Sequence, residues 1–292
     1  MLYKKEKYGE EKEKKKEKEK RVRRRIIQLL AFFFRELDMK KRSYAWQLVW
    51  LVYDLMWALS VGFLGMGVKS VTSVNIDTQS YVLYLLVGSF IWTYLSSLFY
   101  IVSWSITWER WEGTIEYTFM APVKRIIQLV GNSIFAILYG LVRMIIVFVL
   151  ASLVFNISLA NVNFVSAGVI LVLASISFIG FGMIAAILPL ISPEFGDKTV
   201  IMIEAVIMTV SGIFYPISVL PVFVQYISKV IPATYALEGI RQAVIKGADL
   251  ISLWPQIWPL LVLGVVLIPL GDFMFRLAER HAKKTGKLKR NG

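Results

Sequence analysis

The stretch from residue 126 to residue 155 reads IIQLVGNSIFAILYGLVRMIIVFVLASLVF and carries a single charge, at Arg143. A helix needs about 20 apolar residues to cross the hydrocarbon core of a bilayer, so this stretch is long enough to do so. Apolar residues make up 57% of the 292-residue chain, against about 45–50% in soluble proteins by a closely similar count. The sequence therefore predicts an integral membrane protein.

Five further stretches are long and apolar enough to form spans: residues 46–68, 81–106, 164–191, 200 to about 220, and 254–275. With residues 126–155 they make six transmembrane helices, and an even number returns the chain to its starting side. The fold class is therefore predicted to be all-α and multi-pass.

Charge predicts the orientation. Residues 1–42 hold 17 Lys or Arg and residues 276–292 hold seven. Because basic residues stay on the cytoplasmic side, both termini are predicted to lie inside the plasma or inner membrane. The loop at 107–125 carries three basic residues and agrees with an inside position, whereas residues 215–253 carry three on the predicted outer side and agree less well.

The first 45 residues divide into two parts. Residues 4–25 hold 19 Lys, Arg or Glu, which predicts a charged cytoplasmic tail over 1–22, either solvated and partly helical or touching anionic lipid. Residues 23–45 mix apolar and basic side chains, which favours an amphipathic interfacial helix over one packed only on protein. The six-helix domain then covers 46–275, and a basic cytoplasmic tail covers 276–292.

Several function classes are excluded by composition. The chain has no Cys and one His, His281, so disulfide scaffolds, thiolate metal sites and imidazole metal cages are not expected. The basic residues lie in tails flanking an apolar body, which is not the pattern of a nucleic-acid-binding surface. The pair Gly286-Lys287 is followed by Leu288 and lacks the earlier glycine of a phosphate-binding loop. No catalytic residue, metal site or cofactor is predicted in this chain.

The loop after the second predicted span contains a candidate docking segment. Thr114 can cap a short helix with Glu116 in its first turn, and Pro122 forces Ala121 out of helical geometry. Ile115 and Phe119 share one face at i, i+4 spacing. The pattern predicts a short peg that shows these apolar residues to the cytoplasm; the alternative is a helix folded back on the bundle or the membrane surface. Four charged residues are expected to ring the peg: Glu109, Arg110, Glu112 and Lys124.

A second segment is interrupted by Pro216, Pro221 and Pro232. Prolines end helices, so we expect short helices that dip in and out of the outer leaflet, with Thr234 capping the last one and Gly247 ending it. A hairpin on the membrane surface is the alternative. Ser218 and Ser228 are expected to be accessible from outside.

Four ionisable residues lie within predicted spans: Asp54, Arg143, Glu204 and Asp272. A charge at the centre of a membrane helix costs about 2.5–3.5 kcal/mol, so each should face the bundle interior, a partner or water. Arg143 is expected either to pair with another buried residue, for which Asp54 is the candidate in reach, or to contact a substrate.

Three motifs in this order resemble the ABC-2 type permeases, the membrane subunits of ATP-driven exporters. They are Glu109-Arg110-x-x-Gly113-Thr114-Ile115-Glu116 followed by Pro122-Val123, Gly212-x-Phe214-Tyr215-Pro216-x-x-x-Leu220-Pro221, and Pro232-Ala-Thr-Tyr-Ala-Leu-Glu238-Gly239-Ile-Arg241. The likeness covers roughly residues 23–275. It implies that the first motif is a coupling helix that docks on an ATP-binding subunit, with Glu109, Arg110, Gly113, Thr114 and Glu116 in the coupling role. It also implies an interfacial helix before the first span, re-entrant outer helices and a dimer.

The leading hypothesis is therefore the permease subunit of an ABC-2 exporter that moves an amphipathic small molecule, drug or lipid-like substrate outward. ATP and Mg would be bound by a partner ATP-binding subunit, and the other partners would be a second copy or a related permease and membrane lipids. A permease for polysaccharide or lipid-linked glycan is an alternative. A third hypothesis is an ion-coupled transporter with Asp54, Arg143 and Glu204 as a charge relay, although we find no inverted repeat in the sequence.

Overall fold

A computed structural model describes residues 2–71, 77–157 and 162–286, with side chains described from residue 16 onward and not at 69–71. Residues 72–76 and 158–161, which fall between predicted spans, and residues 287–292 of the predicted basic tail lie outside the described residues. The described part is helical throughout, with no strand. Its helices are α1 (Leu2–Arg42), α2 (Tyr44–Val71), α3 (Thr78–Ser103), α4 (Ser105–Trp111), α5 (Ile115–Met120), α6 (Arg125–Phe155), α7 (Phe164–Ala185), α8 (Ile187–Ile191), α9 (Gly196–Val210), α10 (Val222–Ser228), α11 (Pro232–Ile245) and α12 (Trp254–Lys284).

Five segments among the described residues are long and apolar enough to cross a membrane. They are Tyr44–Val68, Thr78–Ser103, Arg125–Phe155, Phe164–Ile191 and Trp254–Lys284. The protein is therefore an all-α, multi-pass membrane protein. The most apolar part of α3 is 83% buried in protein, whereas those of α2, α6 and α12 are each 28% buried. Helix α3 thus lies at the centre, and the outer helices each keep an apolar face for lipid.

The sequence-predicted span at 200–220 is wrong in its bounds. Helix α9 begins at Gly196 and ends at Val210, and at about 1.5 Å per residue it is about 22 Å long, short of a hydrocarbon core of about 30 Å. Gly212 has a φ of +74°, which ends the helix. A 3-10 turn at Ile217–Val219 and then α10 follow. The sixth crossing therefore stays a prediction.

Two predicted domain boundaries, at residues 22 and 275, do not coincide with helix ends. The charged tail and the amphipathic stretch form one continuous helix, α1, with no break near residue 22, and α12 continues nine residues beyond Phe275, to Lys284. Dense charge did not end either helix because Lys, Arg and Glu all favour helix and can pair one turn apart, as Arg21 and Glu17 do.

The amphipathic part of α1 divides its apolar residues between two faces. One face packs on α6, with the rings of Phe33 and Phe135 5.8 Å apart. Ile26, Ile27 and Phe34 are more than half exposed. Helix α1 therefore packs on protein and also presents an apolar surface, which a membrane interface would cover.

Helices α4 and α5 lie at one end of the bundle with α8 and the last turns of α12, and we call this the α5 end. Helices α10 and α11 lie at the other end, where the Asn163 N–H donates to the Ala243 carbonyl at 3.0 Å. We call this the α11 end. The two motif-bearing segments are therefore separated by the length of the bundle.

Helices α7 and α12 make the most extensive contact in the fold, and small residues allow it. A Cβ atom added at Gly180 would lie 2.8 Å from the Leu267 carbonyl carbon and 2.9 Å from the Ile268 nitrogen. The two backbones therefore approach too closely for any side chain at position 180.

Replacing Gly180 with Ala should therefore lower the midpoint of thermal unfolding in detergent. The α12 backbone must move to admit the methyl group, and overpacking of this kind costs about 1–3 kcal/mol. Gly168→Ala is the matched control, because a Cβ atom at that position of α7 meets nothing within 4 Å. The control should be neutral or slightly stabilising, and equal losses in both variants would contradict this account of the packing.

Candidate functional site

The α4–α5 elbow, residues 105–121, is the first candidate site. Gly113, with a φ of +70°, makes the turn between the two helices. The Thr114 N–H donates to the Glu109 carbonyl at 2.9 Å. Ala121 adopts an extended conformation before Pro122, so α5 is shorter than two turns. Thr114 occupies the N-cap position, but its side chain makes no capping hydrogen bond, contrary to the expectation from sequence.

The orientation of the peg predicted from sequence is wrong. Ile115 is fully buried and Phe119 is 6% exposed, because both pack into an apolar cluster with residues of α6, α7 and α12. The residues that face outward are instead Tyr117, 78% exposed, and Met120, 80% exposed, with Glu116 beside them. We call this surface, together with Trp111 and Glu112, the exposed face of the elbow.

Glu109 and Arg110 do not ring the elbow. Both are almost completely buried. Glu109 Oε1 accepts hydrogen bonds from Arg35 Nη1 of α1, at 2.9 Å, and from Gln128 Nε2 of α6. Arg110 Nη2 donates to the Leu190 carbonyl of α8 at 3.4 Å. Lys124 is exposed, as expected.

This buried network fixes the elbow to its surroundings. Arg35 also donates to Thr114 Oγ1 at 3.3 Å and lies 3.7 Å from Glu112. Burial raises the pKa of the Glu109 carboxyl above its ordinary value, and the charge of Arg35 opposes that rise. Arg125 at the start of α6 pairs with Glu279 of α12 at 3.6 Å. Polar contacts from α1, α6 and α8 therefore hold the elbow, and the pair of Arg125 with Glu279 joins α6 to α12.

Removing Glu109 should destabilise the protein strongly. Glu109→Ala removes the buried carboxylate that accepts from Arg35 and Gln128, and breaking a buried pair costs about 3 kcal/mol or more. We expect a clear fall in the thermal midpoint in detergent. Glu112→Ala is the control, since Glu112 also pairs with Arg35 but is 40% exposed, and it should cost less than about 1 kcal/mol. A control that loses as much as Glu109→Ala would argue against the buried network.

The second candidate site is a cavity of about 880 Å³ between α1, α2, α3, α6 and α9. Six of the chain's nine tryptophans line it, so we call it the tryptophan cavity. One wall is a row of residues on α3 and α4 at four-residue spacing, and the facing wall belongs to α2. The first row is Trp92, Ser96, Tyr100, Trp104 and Trp108, and the second is Trp46, Trp50, Asp54 and Trp57.

Three of the four ionisable residues predicted within spans line this cavity. Arg143 forms an ion pair with Asp54, and its Nη2 donates to the Trp50 carbonyl at 3.1 Å. Glu204 accepts a hydrogen bond from the Ser96 hydroxyl. Asp272 lies elsewhere, on α12, and pairs with Arg276 one turn later. Asp54 is thus the partner of Arg143, whereas Glu204 is hydrogen-bonded to Ser96.

At the α11 end, Arg241 joins the proline-broken segment to α9. Its guanidinium is buried, donates to the carbonyls of Gly212, at 2.8 Å, and Ile213, and stacks 3.7 Å from the centre of the Tyr84 ring. This burial explains why a basic residue is tolerated in the predicted outer segment. Glu238 is exposed and accepts from Gln242 at 2.7 Å.

The three prolines stand at the starts of short helical segments, as expected, but the predicted cap and the predicted accessibility of one serine are wrong. Pro216 directly precedes the 3-10 turn, Pro221 directly precedes α10, and Pro232 is the first residue of α11. Gly247, with a φ of +65°, follows the end of α11. Thr234 does not cap α11, because Ile231 holds the N-cap position. Ser228 is not accessible, since it is fully buried and donates to the Val210 carbonyl at 2.6 Å.

Sequence reasoning missed Arg35, Gln128, Ser96 and the two aromatic rows. The signal for the rows was present, because tryptophans at 46, 50 and 57 and at 92, 104 and 108 repeat at helical spacing. For Arg35 and Gln128 no local signal exists, since each meets Glu109 from a different helix.

Together, the fold and the two sites define a multi-pass helical membrane protein with a cavity lined by tryptophans and an elbow exposed at one end. A family model described as ABC-2 family transporter protein matches residues 59–271, which is more than half of the chain. The chain therefore belongs to the ABC-2 transporter family.

Two curated relatives align with the chain. They are the probable multidrug ABC transporter permease YbhR of Escherichia coli strain K12 and the protein of the same name from strain O157:H7. Each is 24% identical over 177 residues, covering 60% of this chain and 47% of the relative. The chain thus spans about half the length of the curated relatives it matches.

Proposed function

We propose that this chain is the membrane-spanning permease subunit of an ABC-2 type exporter. It would move an amphipathic small molecule, drug or lipid-like substrate outward with energy from ATP hydrolysed on a separate subunit. The observation that carries the proposal is the family match over residues 59–271, which includes the elbow, the proline-broken segment and the α3, α6 and α9 walls of the tryptophan cavity.

The energy source is assigned to a partner because no phosphate-binding loop is recognisable in this sequence. In this proposal ATP and Mg bind to the ABC subunit, and the chain itself is not an enzyme. Its role is to change conformation when that subunit does.

The exposed face of the elbow is the proposed docking surface. Tyr117, Met120 and Trp111 are large apolar side chains that are at least half exposed, and Glu112 and Glu116 lie at their margin. Aromatic anchors with a polar rim are typical of protein interfaces. Because Ile115 and Phe119 tie α5 to the bundle, a push on this face would be transmitted to α6, α7 and α12.

A second copy of the chain, or a related permease, would complete the transporter. The proposed orientation has six crossings, α9 with the following segment making the fifth, and both termini in the cytoplasm. The elbow would then face the cytoplasm, and residues 211–231 would face outside. The charge asymmetry of the tails supports this orientation.

The proposed substrate class follows from the tryptophan cavity. A volume of about 880 Å³ suits a drug-sized molecule, and the relatives are named multidrug permeases. A lipid-linked glycan stays the alternative cargo. In the ion-coupled alternative, Asp54, Arg143 and Glu204 would relay charge, but the first two already satisfy each other.

Purification of the tagged chain from its own host in mild detergent should recover an ATP-binding subunit in stoichiometric amount, identified by mass spectrometry. Tyr117→Ala should weaken that association at least tenfold, because a buried aromatic anchor at an interface contributes about 2 kcal/mol or more. The measurement is the Kd of the ATP-binding subunit for the chain in detergent.

Tyr226→Ala is the matched control, since Tyr226 is 65% exposed at the α11 end, and it should leave the Kd unchanged. Normal association of Tyr117→Ala would remove the elbow from the interface. Recovery of the chain without any ATP-binding subunit, under conditions that preserve such complexes, would count against the exporter itself.

The orientation can be tested with single cysteines, because the native chain has none. Ser218→Cys should react with an impermeant maleimide in intact cells, since Ser218 is exposed near the α11 end. Glu116→Cys, on the elbow, should react only after the membrane is permeabilised. The reverse pattern would invert the topology. Ser228 is unsuitable because it is buried.

A further inference from the structure

We propose that the tryptophan cavity binds amphipathic organic cations of single charge, and that Glu204 is their counter-ion. This inference rests on the proposed function and narrows its substrate class. It depends on three features of the cavity: one carboxylate without a cationic partner, aromatic walls on both sides, and positive groups that are already engaged.

Glu204 is the acidic side chain of the cavity that lacks a cation. Its hydrogen-bond partner is the hydroxyl of Ser96, one residue of the α3 row. Among the described residues, no lysine or arginine forms an ion pair with it. A hydroxyl group donates one hydrogen bond but does not neutralise a carboxylate. A bound cation would supply the missing charge.

The other charged groups of the cavity have partners. Arg143 pairs with Asp54. Lys40 lies 5.6 Å from the centre of the Tyr139 ring, and its charge interacts with that of Glu36 one turn earlier on α1. Glu112 lies 3.7 Å from Arg35.

Arg42, in the last turn of α1, is exposed. With every other charge in the cavity either paired or solvated, the cavity offers one negative charge to a ligand. An anionic ligand would meet Arg143 already paired with Asp54.

The aromatic walls favour an organic cation over a metal ion. Helix α3 places Trp92 one turn before Ser96 and Tyr100 one turn after it, and Tyr100 stacks on Trp104 with ring centres 4.7 Å apart. The faces of tryptophan and tyrosine attract cations, and aromatic cages are used for quaternary ammonium ligands. A metal ion would need several oxygen ligands, whereas one hydroxyl group, that of Ser96, is hydrogen-bonded to Glu204.

The arrangement therefore separates two kinds of recognition. The tryptophans bind the apolar groups of a ligand by burying them, and Glu204 selects the sign of its charge. Removing the charge of Glu204 should weaken cation binding while leaving the aromatic contacts in place.

The test compares two ions of nearly the same shape and opposite charge, tetraphenylphosphonium and tetraphenylborate. Binding to the full-length chain in phosphatidylcholine nanodiscs is measured by equilibrium dialysis, with empty nanodiscs subtracted. The wild-type chain should bind the cation saturably and the anion weakly or not at all. Saturable binding of both ions with equal affinity, or of neither, would overturn the inference, and this comparison needs no variant.

Glu204→Gln should weaken binding of the cation at least tenfold, which corresponds to about 1.4 kcal/mol. The amide keeps the shape of the side chain and can still accept from Ser96. Asp197→Asn, on the same helix two turns earlier and outside the cavity, is the matched control and should change the affinity less than twofold. Unchanged cation binding in Glu204→Gln, or an equal loss in Asp197→Asn, would overturn the role of Glu204.

The same preparations separate this inference from the proposed function. If the chain co-purifies with an ATP-binding subunit but does not bind the cation, the substrate class is wrong and the exporter stands. If the cation binds through Glu204 but no ATP-binding subunit associates, the exporter is wrong and the cation site stands.

Discussion

Every charge carried into the apolar body of this protein must find a partner there, because the hydrocarbon core of a membrane offers none. The chain meets this constraint in three ways. Asp54 and Arg143 neutralise each other between α2 and α6. Arg241 donates to two backbone carbonyls and stacks on Tyr84. At the α5 end, the carboxylate of Glu109 is held by Arg35 and Gln128.

These pairings have a mechanical consequence. Each pairing joins segments that are distant in sequence, so these polar contacts help to hold the helices in their positions relative to one another. The Glu109 network is the clearest case, because it ties α4, which is part of the elbow, to α1 and α6. A surface proposed to receive force from an ATP-binding subunit is thus mounted on the bundle by charge-assisted hydrogen bonds as well as by the apolar packing of Ile115 and Phe119. Glu204 differs from the other charges in the apolar body, since its partner is a hydroxyl group.

Much of the helical architecture could be read from the sequence. Long apolar stretches such as 126–155 have no alternative to a helix in a membrane, and the structure gives α6 almost the same bounds. Positions of broken backbone were also readable, since Pro122, Pro216 and Pro232 lack the N–H that a helix interior needs. The domain boundaries predicted from charge at residues 22 and 275 do not coincide with helix ends, because Lys, Arg and Glu mark a change of solvent without interrupting a helix.

The sequence by itself determined that this protein is a multi-pass helical membrane protein, where most of its helices run and which short segments interrupt them. Hydrophobic length and proline act locally, so these properties do not depend on the rest of the chain. Only the tertiary structure decided which face of α5 is exposed, that Glu109 meets Arg35 across 74 positions of sequence, and that two rows of tryptophans enclose one cavity. A residue's neighbours in space come from other helices, and a pattern along one helix cannot say which of its faces they will cover.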